Sequence, residues 1–136
     1  MSCLDSFVQG VVGCQIDKKW PIVSQLLAPA IEENEYSLED VKQSIIAKEM
    51  QLWIAVEYGA IKAAMTTKLA VYPQGITCVL MHLGGKWDQP MNGCLDIIGE
   101  WAKEHGADRF VLYGRKGWKR VLSGFEEKAI VLEKRI

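Results

Sequence analysis

His82 ends an apolar run, ITCVLMH, and is one of two histidines in the chain. An imidazole at such a strand end can act as a general base, worth about 10²–10⁴-fold in a proton-transfer step. The plain alternative is a core histidine whose ring is satisfied by its neighbours. Cys78 precedes it by four residues, so on a regular strand the two share a face and invite a metal reading. Zinc needs further ligands, and no third one falls at a usual spacing, so no metal site is assigned. Tyr113 closes a second apolar run, ADRFVLY, and its phenol suits either a proton donor or a core cap. Arg115, Lys116, Lys119 and Arg120 surround Trp118, a cluster able to grip phosphates or nucleic acid. Four cations make no nucleic-acid stripe, and a solvated helix face with Trp118 packed inward is the simpler reading. Trp87, beside Gly84–Gly85, is placed to cover a ligand or to meet a second subunit.

The elements that must position these groups follow from periodicity. Residues 7–13 (FVQGVVG) read as a short first strand. From Asp17 to about Glu33, Trp20, Val23, Leu27, Ala30 and Ile31 recur at helical spacing, with Pro21 in the first turn. Ser37 is an N-cap, with Asp40 in the capping-box position, for a second helix carrying Leu38, Val41 and Ile45. The period then changes. Three β-rich stretches (51–58, 61–72 and 76–83) are separated by turns at Gly59–Ala60 and Pro73–Gln74–Gly75, which predicts a meander. The third is apolar on both faces, as expected of a central strand covered by helices on both sides. A helix from about Pro90 to His105 and a strand at 109–113 complete a crossover unit, with Gly106 as the helix stop. Residues 115–122 read as one or two helical turns, and EEKAIVLEKRI as a last strand.

At 136 residues with no repeat or linker-like stretch, the chain reads as one domain over 1–136. Apolar residues make up 49 % and charged residues 24 %, which excludes a disordered chain. A net charge of −1 supplies no field that would draw nucleic acid or an anionic membrane. No apolar run approaches the roughly 20 residues of a membrane span, and the first residues lack a secretory n-region. The four cysteines, Cys3, Cys14, Cys78 and Cys94, show no framework spacing. They read as thiols in a reducing, cytoplasmic (intracellular) setting.

Two helices, a three-strand meander, a crossover helix, a strand, a short helix and a final strand form the element order of the GNAT acyl-CoA N-acyltransferase superfamily, which the chain resembles. The resemblance implies an α/β (α+β) fold with a central mixed sheet and helices on both faces. In that family the loop into the crossover helix reads R/Q-x-x-G-x-G/A, and its amides hold the pyrophosphate of acetyl-CoA at the helix N-terminus. The matching stretch here is Gln89-Pro90-Met91-Asn92-Gly93-Cys94, followed by Ile97–Ile98. The resemblance therefore implies cofactor contacts from Leu83, Gly84, Gly85, Lys86, Gln89, Asn92, Gly93 and Cys94. The family's Y-x-x-x-G-F segment appears as Arg120-Val121-Leu122-Ser123-Gly124-Phe125, with Arg120 where many members carry an acidic tyrosine. Segment 114–125 (GRKGWKRVLSGF) is similar to small GNAT-like proteins of tailed bacteriophages and prophages.

The implied function is an acyl-CoA-binding protein with N-acetyltransferase activity toward an unidentified amine, with acetyl-CoA as cosubstrate. His82 would be the base and Tyr113 the substitute acid. A strand at 76–83 splayed from 109–113 would admit the thioester and expose a backbone donor at Leu83 or Gly84. The alternative is a non-catalytic phage assembly or virion protein that keeps the fold. A third reading is an interaction domain that dimerises through an exposed sheet edge. Partners under these readings are acyl-CoA, an amine, a second copy of the chain or a phage protein.

Overall fold

The computed structural model describes residues 6–31, 35–86, 91–113, 122 and 124–136. Strand β1 (Ser6–Gly10) leads through a 3-10 turn (Gly13–Gln15) into helix α1 (Ile16–Leu27), which a second 3-10 turn (Ala28–Ala30) closes. Helix α2 (Leu38–Ile46) is followed by β2 (Gln51–Glu57), β3 (Ala60–Tyr72) and β4 (Gly75–Gly85). Helix α3 (Met91–Glu104) then crosses over to β5 (Ala107–Leu112). The strands form one sheet in the order β1-β2-β3-β4-β5. All neighbours are antiparallel except β4 and β5, the parallel pair that the crossover helix requires.

Local chemistry accounts for most boundaries. The Ser37 hydroxyl accepts from the Asp40 amide at 3.0 Å, and the Asp40 carboxylate accepts from the Ser37 amide at 2.9 Å. This reciprocal box satisfies donors that the start of α2 would otherwise leave bare, and its hydrogen bonds hold the Asp40 carboxyl below its usual range. The first hairpin turns on Tyr58–Gly59, one residue earlier than the glycine alone suggests, and both residues take positive φ as a two-residue primed turn demands. Helix α1 begins at Ile16, so Pro21 lies in its second turn rather than its first. The expected start at Asp17 falls one residue after the observed one, and the expected run to about Glu33 is cut at Leu27, where a 3-10 turn takes over.

The sheet separates two cores, as the both-faces-apolar pattern of residues 76–83 predicts. On one face, Val23 and Leu27 of α1 and Val41 and Ile45 of α2 pack on Leu52, Ile54 and Val56. On the other, Leu95, Ile98 and Ala102 of α3 pack on Trp53, Met65, Cys78 and Leu80. Burying each large aliphatic side chain contributes roughly 1.5–3 kcal/mol, so both layers hold the sheet firmly. Leu122 is buried in the α3-side core, and Phe125 stacks on Phe110 with ring centroids 6.3 Å apart.

The expected last strand does not form. Residues 126–136 carry no strand in this structure and lie exposed. The β-rich composition is there, but a strand needs a partner edge, and none is paired to this stretch. The expected helical turns at 115–122 lie outside the described residues, except for buried Leu122.

Gly84 and Gly93 separate two demands made on glycine. A Cβ built on Gly84 would sit 1.7 Å from the carbonyl oxygen of Leu26, because the end of α1 rests on the β4 backbone. A Cβ on Gly93 meets nothing within 4 Å. Gly84→Ala should therefore cost about 3 kcal/mol or more by overpacking against backbone. Gly93→Ala, in a helix, should be neutral or stabilise by about 0.5–1 kcal/mol. Urea unfolding of the two variants checks the pair; equal midpoints would contradict the packing described.

Candidate active site at the open edge of β4

The site is built by a mismatch between two ladders. β4 pairs with β5 only from Ile76 opposite Ala107 to Leu80 opposite Leu112, while its pairing with β3 continues to Gly85 opposite Ala63. Within the β3–β4 ladder the register slips so that Thr66 faces His82 and Thr67 faces Leu80, leaving Met81 as a bulge. The Lys86 amide donates to the Lys62 carbonyl at 3.0 Å. Antiparallel alternation then sends the amides of His82 and Gly84 toward β3 and those of Leu83 and Gly85 toward the side where β5 has ended. Leu83 is thus the first backbone donor past Leu80 to face the gap. Gly84, the other candidate, is turned to β3 and covered by α1.

The bulge also decides where His82 points. Without it, Cys78 and His82 would share a face. With it, Cys78 joins the α3-side core, whereas His82 lies on the α1/α2 side, opposite Thr66. Its Nδ1 is 2.7 Å from the Thr66 hydroxyl, and its ring meets Tyr36 edge-on at 5.6 Å between centroids. Burial lowers its pKa below the usual imidazole range, so the ring is neutral at pH 7. Burial likewise pushes the Cys78 thiol up to about 11, partly countered by a hydrogen bond with Thr67. The shared-face expectation is therefore corrected, and no group of three or more metal-ligating side chains occurs among the described residues. Thr66 and Tyr36 carried no signal of their own in the sequence, since their meeting with His82 depends on the bulge.

Beneath α3, on the β1–β3 side of Leu83, lies an apolar cavity of about 20 Å³ bounded by Val8, Trp53, Ala63, Met65, Leu83 and Cys94. Cys94 and Leu95 are buried at the start of α3, while Gly93 is exposed. Lys86 is exposed at the end of β4, and Tyr113, which follows β5, is 69 % exposed. Gln89 lies outside the described residues, as does the side chain of Asn92. So do Trp87 and the basic cluster around Trp118.

No protein-family model matches this chain, and no curated protein does. Solved structures do match along nearly its full length. An aminoglycoside acetyltransferase from an uncultured soil metagenomic sample, in complex with sisomicin, matches with TM-score 0.72 and 11 % identity, over 98 % of this chain and 97 % of that one. The fold is that of the GNAT acetyltransferases. A predicted acetyltransferase with acetyl-CoA from Clostridium acetobutylicum matches at TM-score 0.66 and 18 % identity, over 96 % of both chains. An aminoglycoside N-acetyltransferase in complex with CoA matches at TM-score 0.70 and 14 % identity, over 96 % of this chain and 94 % of that one. The GNAT fold thus accommodates this sequence with its mixed sheet and flanking helices. No helix among the described residues is long and apolar enough to cross a membrane.

Cys14, Cys78 and Cys94 carry thiols rather than disulfides, and only Cys14 is exposed. Thiol titration of the native protein should therefore modify Cys14 promptly and spare Cys78 and Cys94 until denaturant is added, when all four cysteines react. Fewer than four in denaturant without reductant would indicate a disulfide.

The buried His82 makes a second prediction. Its folded pKa is depressed by burial below the 6.5 of an ordinary imidazole, so as pH falls below about 6.5 the unfolded chain takes up a proton that the folded chain refuses. Stability should fall through that window. His82→Gln should flatten the fall relative to wild type in urea titrations at pH 7.5 and 5.5; identical slopes would contradict the burial.

Proposed function

We propose that this chain binds acetyl-CoA in the gap where β4 outruns β5, and transfers the acetyl group slowly to a primary amine. The observation that carries this reading is the Leu83 amide, which among the described residues faces a gap beside the start of α3 instead of a strand. A fixed donor at that place can receive the charge that grows on a thioester carbonyl under attack. Leu83, Gly85 and Lys86 line the β4 side, and the backbone of Asn92, Gly93 and Cys94 at the start of α3 offers amides to the pyrophosphate. The space beside Gly93 is open, which suits a close approach by phosphate.

In the reaction, the amine nitrogen bonds to the acetyl carbon, the carbon–sulfur bond breaks, and the proton lost by nitrogen is returned to the CoA sulfur. His82, neutral at pH 7, is the base of this scheme, and Tyr113 stands in as the acid because Arg120 cannot release a proton near neutrality. Gly84 serves by packing against α1. Aminoglycosides such as sisomicin, which the soil acetyltransferase holds, belong in any panel of acceptors tested.

Two features favour a second reading, a phage-related assembly or virion protein that keeps the fold without the chemistry. The 114–125 segment resembles phage proteins, and His82 is only 7 % exposed and already engaged by Thr66.

Calorimetry with acetyl-CoA and chromatographic assay of released CoA separate the two. We expect binding weaker than about 1 µM, because Pro90 contributes no amide to the loop and a lost charge-assisted bond costs roughly 1.5–3 kcal/mol. CoA release should stay below about 1 s⁻¹, the low end of ordinary enzymes. Tyr113→Phe should lower that release at least about tenfold while leaving the melting temperature unchanged, as loss of a positioned proton donor predicts. His82→Ala should displace its pH optimum. No binding at millimolar acetyl-CoA would refute the proposal and leave the second reading.

A further inference from the structure

We propose that Thr66 sets the tautomer of His82, keeping the resting ring's proton on Nε2 and its lone pair on Nδ1, against the Thr66 hydroxyl. The tautomer stands on the structure alone, whereas its effect on rate rests on the acetyl-transfer reading above. A proton count at one buried bond decides it. Thr66 is fully buried, and its hydroxyl oxygen lies 2.7 Å from Nδ1 of His82. Among the described residues that hydroxyl has no other hydrogen-bond partner, and neither has the His82 ring. A hydroxyl has one proton to donate, while each nitrogen of a neutral imidazole either donates or accepts. If Nδ1–H donates to Thr66, the hydroxyl proton is left in the core without an acceptor and loses its solvation for nothing. If Thr66 donates to Nδ1, the one bond satisfies both groups, and the ring's proton lies on Nε2.

That N–H does not go unmet. Among the described residues Thr77 Oγ1 is the one buried side-chain polar atom without a partner, so Nε2 of His82 reaches the surface, where water can accept from it. The balance favours the Nε2–H tautomer by roughly tenfold or more. A ring flip offers no escape, because it would set Cδ2 against the Thr66 hydroxyl. Tyr36 stands edge-on to the imidazole at 5.6 Å and is held there beside Ser37, whose capping box with Asp40 starts α2. For an amine to hand its proton to Nε2, that nitrogen must first be bare. The ring's proton then leaves Nε2 for water while water supplies one to Nδ1, with no net change in charge, and the Thr66 hydroxyl turns its own proton away from the ring. Thr66 is thus a positioning residue that orients the base and restrains it, leaving about one ring in ten or fewer ready to accept.

Ring nitrogen–proton correlation spectra of the full chain, isotope-labelled at histidine and recorded at about pH 7.5, read the tautomer directly. A His105→Gln variant identifies the His82 signals, since the chain has two histidines. The wild type should show Nε2 protonated and Nδ1 bare. Thr66→Ser should keep that pattern. Thr66→Val, which keeps the shape without the hydroxyl, should bring the two tautomers to comparable populations. CoA release with acetyl-CoA and an amine should then rise about fivefold in Thr66→Val, as the ready fraction grows from about one in ten to about half. A wild-type ring protonated on Nδ1 would overturn the proposal, and so would a Thr66→Val spectrum that matches the wild type. Should Thr66→Val not fold, the wild-type and Thr66→Ser spectra still decide. A shifted tautomer with unchanged release would remove the restraint on rate. No release from either protein would sink the transfer reading, while the spectra would still settle the tautomer.

Discussion

The β3–β4 ladder runs farther than the β4–β5 ladder, and most of what is distinctive in this fold depends on that difference. A buried amide left without a partner costs roughly 1–3 kcal/mol, so a strand that loses one neighbour must have its donors met by solvent, a ligand or nothing at all. β4 loses β5 at Leu80 and continues to Gly85 under the hold of β3 alone. The end of α1 lies directly over Gly84, which fixes the unsupported stretch from above. The open edge is therefore held on two sides and, among the described residues, paired with no strand on the third, which is the property a preorganised donor requires.

Much of this architecture is legible in the chain because local and global preferences agree. Ser37 and Asp40 write the start of α2 directly, and the apolar periods of α1 and α3 predict their buried faces. β4 reads as doubly covered because it is doubly covered. The Met81 bulge was not legible, since an inserted residue in one strand is defined by its partner's register and ITCVLMHL offers nothing that a regular strand would not. One hidden residue was enough to turn His82 away from Cys78 and toward Thr66 and Tyr36. The missing last strand is the reverse case: residues 129–132 have the side chains of a strand, and only the location of a partner edge decides whether they become one.

The two cores respond differently to these facts. The α1/α2 face holds the polar cluster of His82, Thr66 and Tyr36 within an otherwise aliphatic layer. The α3 face keeps its polar groups paired among themselves: the Trp53 indole donates to the Thr67 hydroxyl at 3.0 Å, and that hydroxyl donates to Gln51 at 2.9 Å. Trp101 meets Trp53 edge-on at 5.4 Å, which ties α3 to the sheet close to the gap. A shift of α3 would disturb that chain, so the start of the helix, whose amides the proposal assigns to phosphate, is positioned by aromatic packing at its middle.

The balance of proton transfers indicates which element of the proposed chemistry is limiting. A thiol with a pKa near 8.5 leaves as a thiolate without great difficulty at neutral pH, so in the proposed reaction Arg120 in place of the usual tyrosine would slow the departure of CoA without forbidding it. The amine is the harder partner. An alkyl ammonium with a pKa near 10.4 is neutral in only about one molecule in 2,500 at pH 7, and until it loses its proton it cannot attack. A base that is itself neutral at that pH is what the reaction lacks most, and burial keeps His82 in that form. Yet Nδ1 is already committed to Thr66, which leaves Nε2 as the atom that must reach the acceptor. The Leu83 amide points along the sheet edge, while the imidazole stands on the α1/α2 face. Under the proposed chemistry an acceptor has to approach from the α1/α2 side to use both groups, and the geometry of that approach, more than the lost tyrosine, would set the rate of acetyl transfer.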